Sequence, residues 1–308
     1  MKKELIYVLM MSAALSTLAC ASSSDTQNHE TSKFNVQCSK DDRFSTRNYD
    51  LPDFTAINVS NSVKVIYTEG NDRSVSLTGR TDWIDNMNVT VSGNVLKVYA
   101  KHPRKFEHAK KQDKPDGQSN FILRITAPAI DDIRLSGAIV LETTRLSPAS
   151  LNINASGATI VKADAIETQN LKTNFSGASK VVVKHLSTVT MAVEVSGASK
   201  MTFGKLTVND EAKFNISGAS DISLSAEKTK TVQMEMSGAS KSNIDFKGDN
   251  LRVSCCGASK LNANVNCQSI NVMCDGASKV VFSGTADKVE MERGSIANNI
   301  DMSQLNQF

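Results

Sequence analysis

The sequence predicts an all-β chain folded as a single-stranded right-handed parallel β-helix, a solenoid with turns of about twenty residues. Three observations predict it. The triplet Ser-Gly-Ala starts at Ser136, Ser156, Ser176, Ser196, Ser217 and Ser237, then returns as Cys256-Gly257-Ala258 and Asp275-Gly276-Ala277, at intervals of 20, 20, 20, 21, 20, 19 and 19 residues. Apolar and polar residues alternate on both sides of each triplet, which is the period of a strand and not of a helix. Aromatic residues make up only 5% of the chain while Val, Ile, Ala, Ser and Asn are plentiful, a composition suited to a narrow core of stacked small and branched side chains.

Taken in order, Lys2 and Lys3 precede an apolar run from Leu5 to Leu15 that is too short for a membrane span, so residues 1–19 read as a signal peptide. Ala19 directly before Cys20 resembles a lipobox, which makes Cys20 the expected lipidation site. Thr17 stands where such a site usually has leucine, and Ala19-Cys20-Ala21 also fits an ordinary A-x-A cleavage. Residues 20–48, rich in Ser, Asn, Thr, Gln and charge, read as a flexible tether. The folded body is then expected over residues 49–294, long enough for one sizeable core and without a second apolar span. A net charge of +3 is too small for a dedicated nucleic-acid binder.

Residues 49–130 lack the triplet but keep the alternation, as in Ile57-Asn58-Val59, Val63-Lys64-Val65, Val89-Thr90-Val91 and Phe121-Ile122-Leu123. They are expected to supply the opening turns and cap, with Lys101–Asn120 as a long exposed loop. Residues 131–294 are the repeats, including a degenerate copy at Arg293-Gly294-Ser295, and residues 295–308 are a C-terminal cap or tail. Within a repeat, the positions seven, five and three before the Ala are apolar, as in Met191, Val193 and Val195. So are those three and five after it, as in Met201 and Phe203. A lone unit cannot bury such a face, but units stacked ~4.8 Å apart can. The corners carry Gly137, Gly157, Gly177, Gly197, Gly218, Gly238, Gly257 and Gly276, since glycine takes positive φ freely. The Ala beside each is expected to point inward, so that valine at Ala198 or Ala219 would overpack the corner by about 1–3 kcal/mol. The flanking serines are expected to stack into columns that hydrogen-bond along the axis.

The chemistry-bearing residues read mainly as structure. Glu194 and Glu235 share an outward column two turns apart, ~10 Å along the axis, where inverting glycoside hydrolysis wants carboxyls within about 9.5 Å. No enzyme is expected. His29, His102, His108 and His185 make no metal-ligand spacing, so neither metal nor cofactor is expected. Cys255 and Cys274 fall at one inward position of adjacent turns, within disulfide reach, and are expected as reduced core thiols. Two residues after the Ala run Lys180, Lys200, Asp221, Lys241, Lys260 and Lys279, an almost unbroken basic row and the candidate ligand surface. Its plain alternative is a solvated edge that keeps the strands unpaired.

The order of parts, Phe54-Thr55-Ala56-Ile57-Asn58-Val59, then Thr126-Ala127-Pro128-Ala129-Ile130-Asp131-Asp132-Ile133, then Ser-Gly-Ala-Ser units, resembles the auto-transporter adhesin head GIN domain family over Tyr49–Arg293. The resemblance implies a β-helix similar to the pectin-lyase-like folds, a part in cell adhesion, and no established catalytic residues. The expected protein is a non-enzymatic outer-membrane lipoprotein of the cell envelope, tethered to the membrane by Cys20 and presenting its flank for adhesion or scaffolding. Glycans or other envelope or host-surface proteins are its expected partners. The alternatives are a carbohydrate-binding or carbohydrate-cleaving β-helix and a purely structural periplasmic part.

Overall fold

The computed structural model describes residues 43–106, 108–292 and 299–307, and the backbone alone of 36–38, 105 and 106. The expected signal peptide, Cys20, His29, the residues up to 35 and the degenerate copy at 293–295 lie outside the described residues. About 70% of the chain is strand, arranged as a β-solenoid of about 8 turns whose parallel pairings lie about 20 residues apart.

The folded body begins ahead of Tyr49. β1 (Val36–Cys38) pairs antiparallel with β2 (Phe44–Tyr49), so the segment expected as tether ends in strands. β2 has little apolar signal because it is held by ladder bonds to a neighbour and its buried residue is Ser45.

The first helical turn is β3 (Ala56–Asn61) followed by β4 (Val63–Glu69). The chain then leaves the stack through β5 (Ser74–Arg80), a helical turn α1 (Thr81–Ile84) and β6 (Met87–Ser92). It re-enters on the far side with β7 (Val95–Ala100) and β8 (Phe121–Ala127), which run parallel to β3 and β4. β5 and β6 pair antiparallel with β8 and β7. The opening turns therefore do not follow chain order along the axis, and antiparallel strands close that end. The loop 101–120 is an expanded corner of the β7–β8 turn.

β9 (Asp132–Gly137) and β10 (Val140–Leu146) settle on the free side of β3 and β4 and start the repeats. β11 (Ser150–Gly157), β12 (Ile160–Glu167) and β13 (Asn170–Phe175) follow. From there single strands run from corner to corner: β14 (Lys180–Val195), β15 (Lys200–Ile216), β16 (Asp221–Met236), β17 (Lys241–Cys255), β18 (Lys260–Cys274) and β19 (Lys279–Met291). β20 (Ile300–Gln307) pairs with β19, so the described C-terminal residues continue the stack as a cap.

The corners overturn one expectation. Ala198 and Ala219 face solvent, and the serine after each, Ser199 or Ser220, is the inward residue at 2% exposure. The cause is the corner glycine, whose left-handed φ, +83° at Gly197 and +79° at Gly218, turns the chain so that Ser, Gly and Ala all lie outside. The inner hydroxyl cannot reach water and caps its own corner: Ser220 Oγ donates to the Ser217 carbonyl at 3.0 Å and Ser240 Oγ to that of Ser237 at 2.7 Å. The outer serine bonds along the axis, as Ser217 Oγ does to the Val195 carbonyl at 3.2 Å. Ladder bonds continue through the bend, Ala219 N to Gly197 O and Ala239 N to Gly218 O, both at 2.8 Å.

Candidate binding surface

Strand register builds the outer surface. Because each strand sits directly over the last, one outward position per turn becomes a column along the axis. Lys180 lies opposite Lys200, then Asp221, Lys241, Lys260 and Lys279 in successive strands, as the spacing predicts. All five lysines are exposed. Lysines elsewhere on the solenoid mostly face an acid: Lys162 meets Glu142 at 3.0 Å, Lys184 meets Asp164 at 2.7 Å and Lys213 meets Glu211 at 3.0 Å. In the column only Lys200 has such a partner, Asp221 at 3.4 Å, and Lys180, Lys241 and Lys260 form no ion pair among the described residues. Lys279 lies near Asp301, whose carboxyl is held below its ordinary range chiefly by the Ser303 amide and hydroxyl and in smaller part by the lysine charge.

Beside this rim runs a lower column that sequence reasoning passed over: Thr202, Ser223, Asn243 and Asn262, each half-buried. It was present in the alternation as the outward residue between the two inward ones after each corner. Asn262 Nδ2 donates to Asn243 Oδ1 at 2.8 Å, and one column further Asn264 Nδ2 donates to Asp245 Oδ1 at 3.2 Å. With Ser283 and Gln304 these residues line a shallow groove of about 510 Å³ that runs along the axis.

On the other side of the corner, Glu194, Asn215 and Glu235 stack in the order the repeat predicts. Both carboxylates are exposed and already hold amide donors, Asn174 Nδ2 to Glu194 at 3.0 Å and Gln233 Nε2 to Glu235 at 2.9 Å. Asn215 separates them, and a groove of about 450 Å³ follows this column. His102, His108 and His185 are exposed, and among the described residues no three His, Cys, Asp or Glu side chains converge.

Cys255 and Cys274 lie opposite each other as buried free thiols; Cys267 is also buried, and Cys256 is exposed. Burial above all, then the neighbouring thiols Cys274 and Cys256, pushes Cys255 up to about 12. The reactive thiolate is therefore suppressed in the core.

The family described as "Putative auto-transporter adhesin, head GIN domain" matches residues 53–243 and 230–307. The chain belongs to this family. No curated protein sequence matches it. Among solved structures, a putative adhesin from Parabacteroides distasonis superposes with a TM-score of 0.57 at 16% identity, covering 81% of this chain and 97% of that one. A putative adhesin from Parabacteroides merdae gives 0.53 at 18% identity, covering 82% and 97%. Likeness at such identity is a likeness of fold, and it extends the head-domain architecture over most of this chain.

Proposed function

We propose that this head-domain protein is a non-catalytic part of the cell envelope that presents its solenoid flank for adhesion or scaffolding. In this reading Cys20 carries a lipid anchor in the outer membrane, and the residues before β1 give reach. The observation that carries it is the register: β14 to β19 repeat the same kind of outward residue at the same place in each turn. Such a surface suits weak contacts multiplied along a long partner. Its test uses cells expressing the full chain. Wild type should fractionate with the outer membrane, be shaved by protease from intact cells and promote adherence, whereas Cys20→Ala should be released from the membrane. A cytosolic product, or display without any gain in adherence, contradicts the proposal.

A second reading, a carbohydrate-cleaving β-helix, is favoured by the groove along Glu194, Asn215 and Glu235. A glycan array coupled to a product assay separates the two. Sugar release that stops in Glu194→Gln or Glu235→Gln would replace adhesion by catalysis.

A further inference from the structure

We propose that the lysine rim and the recessed floor beside it form one binding site for an extended anionic polysaccharide lying along the solenoid axis, an inference that rests on the adhesion reading and names its ligand class. Lysines stacked in adjacent strands repel one another. Neighbouring columns relieve that repulsion with acids, but this one leaves Lys180, Lys241 and Lys260 without an ion-pair partner among the described residues. A polyanion supplies the missing counter-charge. The charges recur every ~4.8 Å, which is close to the advance per sugar in an extended polysaccharide, so successive acidic groups meet successive ammonium groups.

The floor supplies the rest of the recognition. Thr202, Ser223, Asn243 and Asn262 are short, polar and half-buried beside the exposed rim, so a chain lying in the groove brings its hydroxyls to amide and hydroxyl groups while its acids face lysine. Asp221, Asp245 and Asp301 are acids on this stretch of the flank. Asp221 is bound to Lys200 and Asp301 is held chiefly by Ser303, which leaves Lys241, Lys260 and Lys279 as the longest run of consecutive lysines beside the groove.

Shape and chemistry favour a polymer over a lipid surface. The rim is one lysine wide and borders a polar groove, whereas a membrane-binding face needs apolar side chains to bury. The exposed large hydrophobic residues among those described are Tyr99, Val189 and Met291, none of which lines this groove. Tyr99 alone among them is aromatic, and the groove has no exposed ring on which nucleic-acid bases would stack.

The test measures binding of the purified full chain to polygalacturonate and to dextran sulfate, with unmodified dextran as the neutral control and phosphatidylglycerol vesicles as the membrane arm. Both anionic polymers should bind and dextran should not, and affinity should fall as salt rises. Lys241→Ser/Lys260→Ser/Lys279→Ser should weaken polymer binding by about tenfold or more. Lys172→Ser/Lys213→Ser/Arg252→Ser, the same charge change on the opposite flank, should leave it nearly unchanged. Asp221→Lys should tighten binding, a gain that misfolding cannot produce. The proposal falls if both triple variants weaken binding equally, if Asp221→Lys has no effect, or if vesicles bind and polymers do not. Preference for one polymer identifies carboxylate or sulfate as the favoured acid. Cells carrying Lys241→Ser/Lys260→Ser/Lys279→Ser that adhere like wild type would remove this ligand and leave the adhesion reading standing. Wild-type cells that display the protein and do not adhere would remove the adhesion reading itself.

Discussion

Gly238 and Ala239 are neighbours on one corner, yet they answer to different constraints. Gly238 has φ of +72°, and a Cβ added there would stand 2.6 Å from the carbonyl oxygen of Gly218 in the turn below. The left-handed conformation alone costs an L-residue about 1–2 kcal/mol. The oxygen cannot move aside, because it accepts the Ala239 amide at 2.8 Å. Gly238→Ala should therefore lower stability by more than about 2 kcal/mol in chemical denaturation. Ala219→Val, at an exposed corner position, should stay within about 0.5 kcal/mol of wild type. A larger loss for the valine would restore the inward alanine that the sequence suggests. The true placement was legible: inward residues lie at odd distances from each Ala, as Phe175 and Val181 do from Ala178, so strict alternation already puts Ala178 outside and Ser179 inside. A buried serine ran against the rule that apolar residues fill cores, and its satisfaction by a carbonyl three residues back is a property of the corner geometry, not of composition.

Between elements, the stack is joined by ladder bonds and by ion pairs that cross turns. Glu142 on β10 accepts from Lys64 on β4 at 2.9 Å and from Lys162 on β12 at 3.0 Å, linking three successive turns. The hydrogen bond from Lys64, then that from Lys162, holds its carboxyl below the usual range. A depressed carboxyl stabilises the fold above its unfolded pKa and loses that contribution as pH falls through the folded value. Melting compared between wild type and Glu142→Gln should accordingly show a deficit for the variant at pH 7, worth less than about 1 kcal/mol at so solvated a site, and none near pH 3. A deficit that persists in acid would mean the carboxylate charge is irrelevant. The ordering of these elements was only partly readable. The repeats from β9 onward were, since hydrophobic alternation and a corner at constant interval specify register. The N-terminal end was not: β3 pairs with β9 across a long excursion, and no local pattern says which strands close on which. Asn61, at φ +80° opposite Gly137, marks a corner that the Ser-Gly-Ala pattern cannot reveal, asparagine being the other residue at ease in that conformation. The lysine column was legible because it shares the repeat's phase, whereas its recessed partner column lacks a residue type distinctive enough to catch the eye.

For the whole molecule, each turn contacts mainly the turns directly above and below, so stability should be nearly a sum over turns and interfaces. A deletion then matters through phase more than through length. Removing residues 220–239 joins Ala219 to Ser240 and takes out one complete turn, leaving every remaining inward side chain inward and every corner over a corner. β15 would rest directly on β17, bringing Phe203 over Ile244 and Phe214 over Val253, buried apolar residues in all four places. Removing residues 220–229 deletes half as much chain but sets one side of the solenoid above the other and leaves the corner ladder without a partner. The full-turn deletion should keep a strand-type circular dichroism spectrum and a cooperative melt at somewhat reduced stability, while the half-turn deletion should lose the melt and become sensitive to protease from Lys200 onward. If the shorter deletion were tolerated as well as the longer, stacking in register would not be what holds these turns together. The full-turn deletion also removes Asp221 and brings Lys200 beside Lys241. A solenoid shorter by one turn would then carry an unbroken rim of five lysines, and should bind polygalacturonate more tightly than the intact chain.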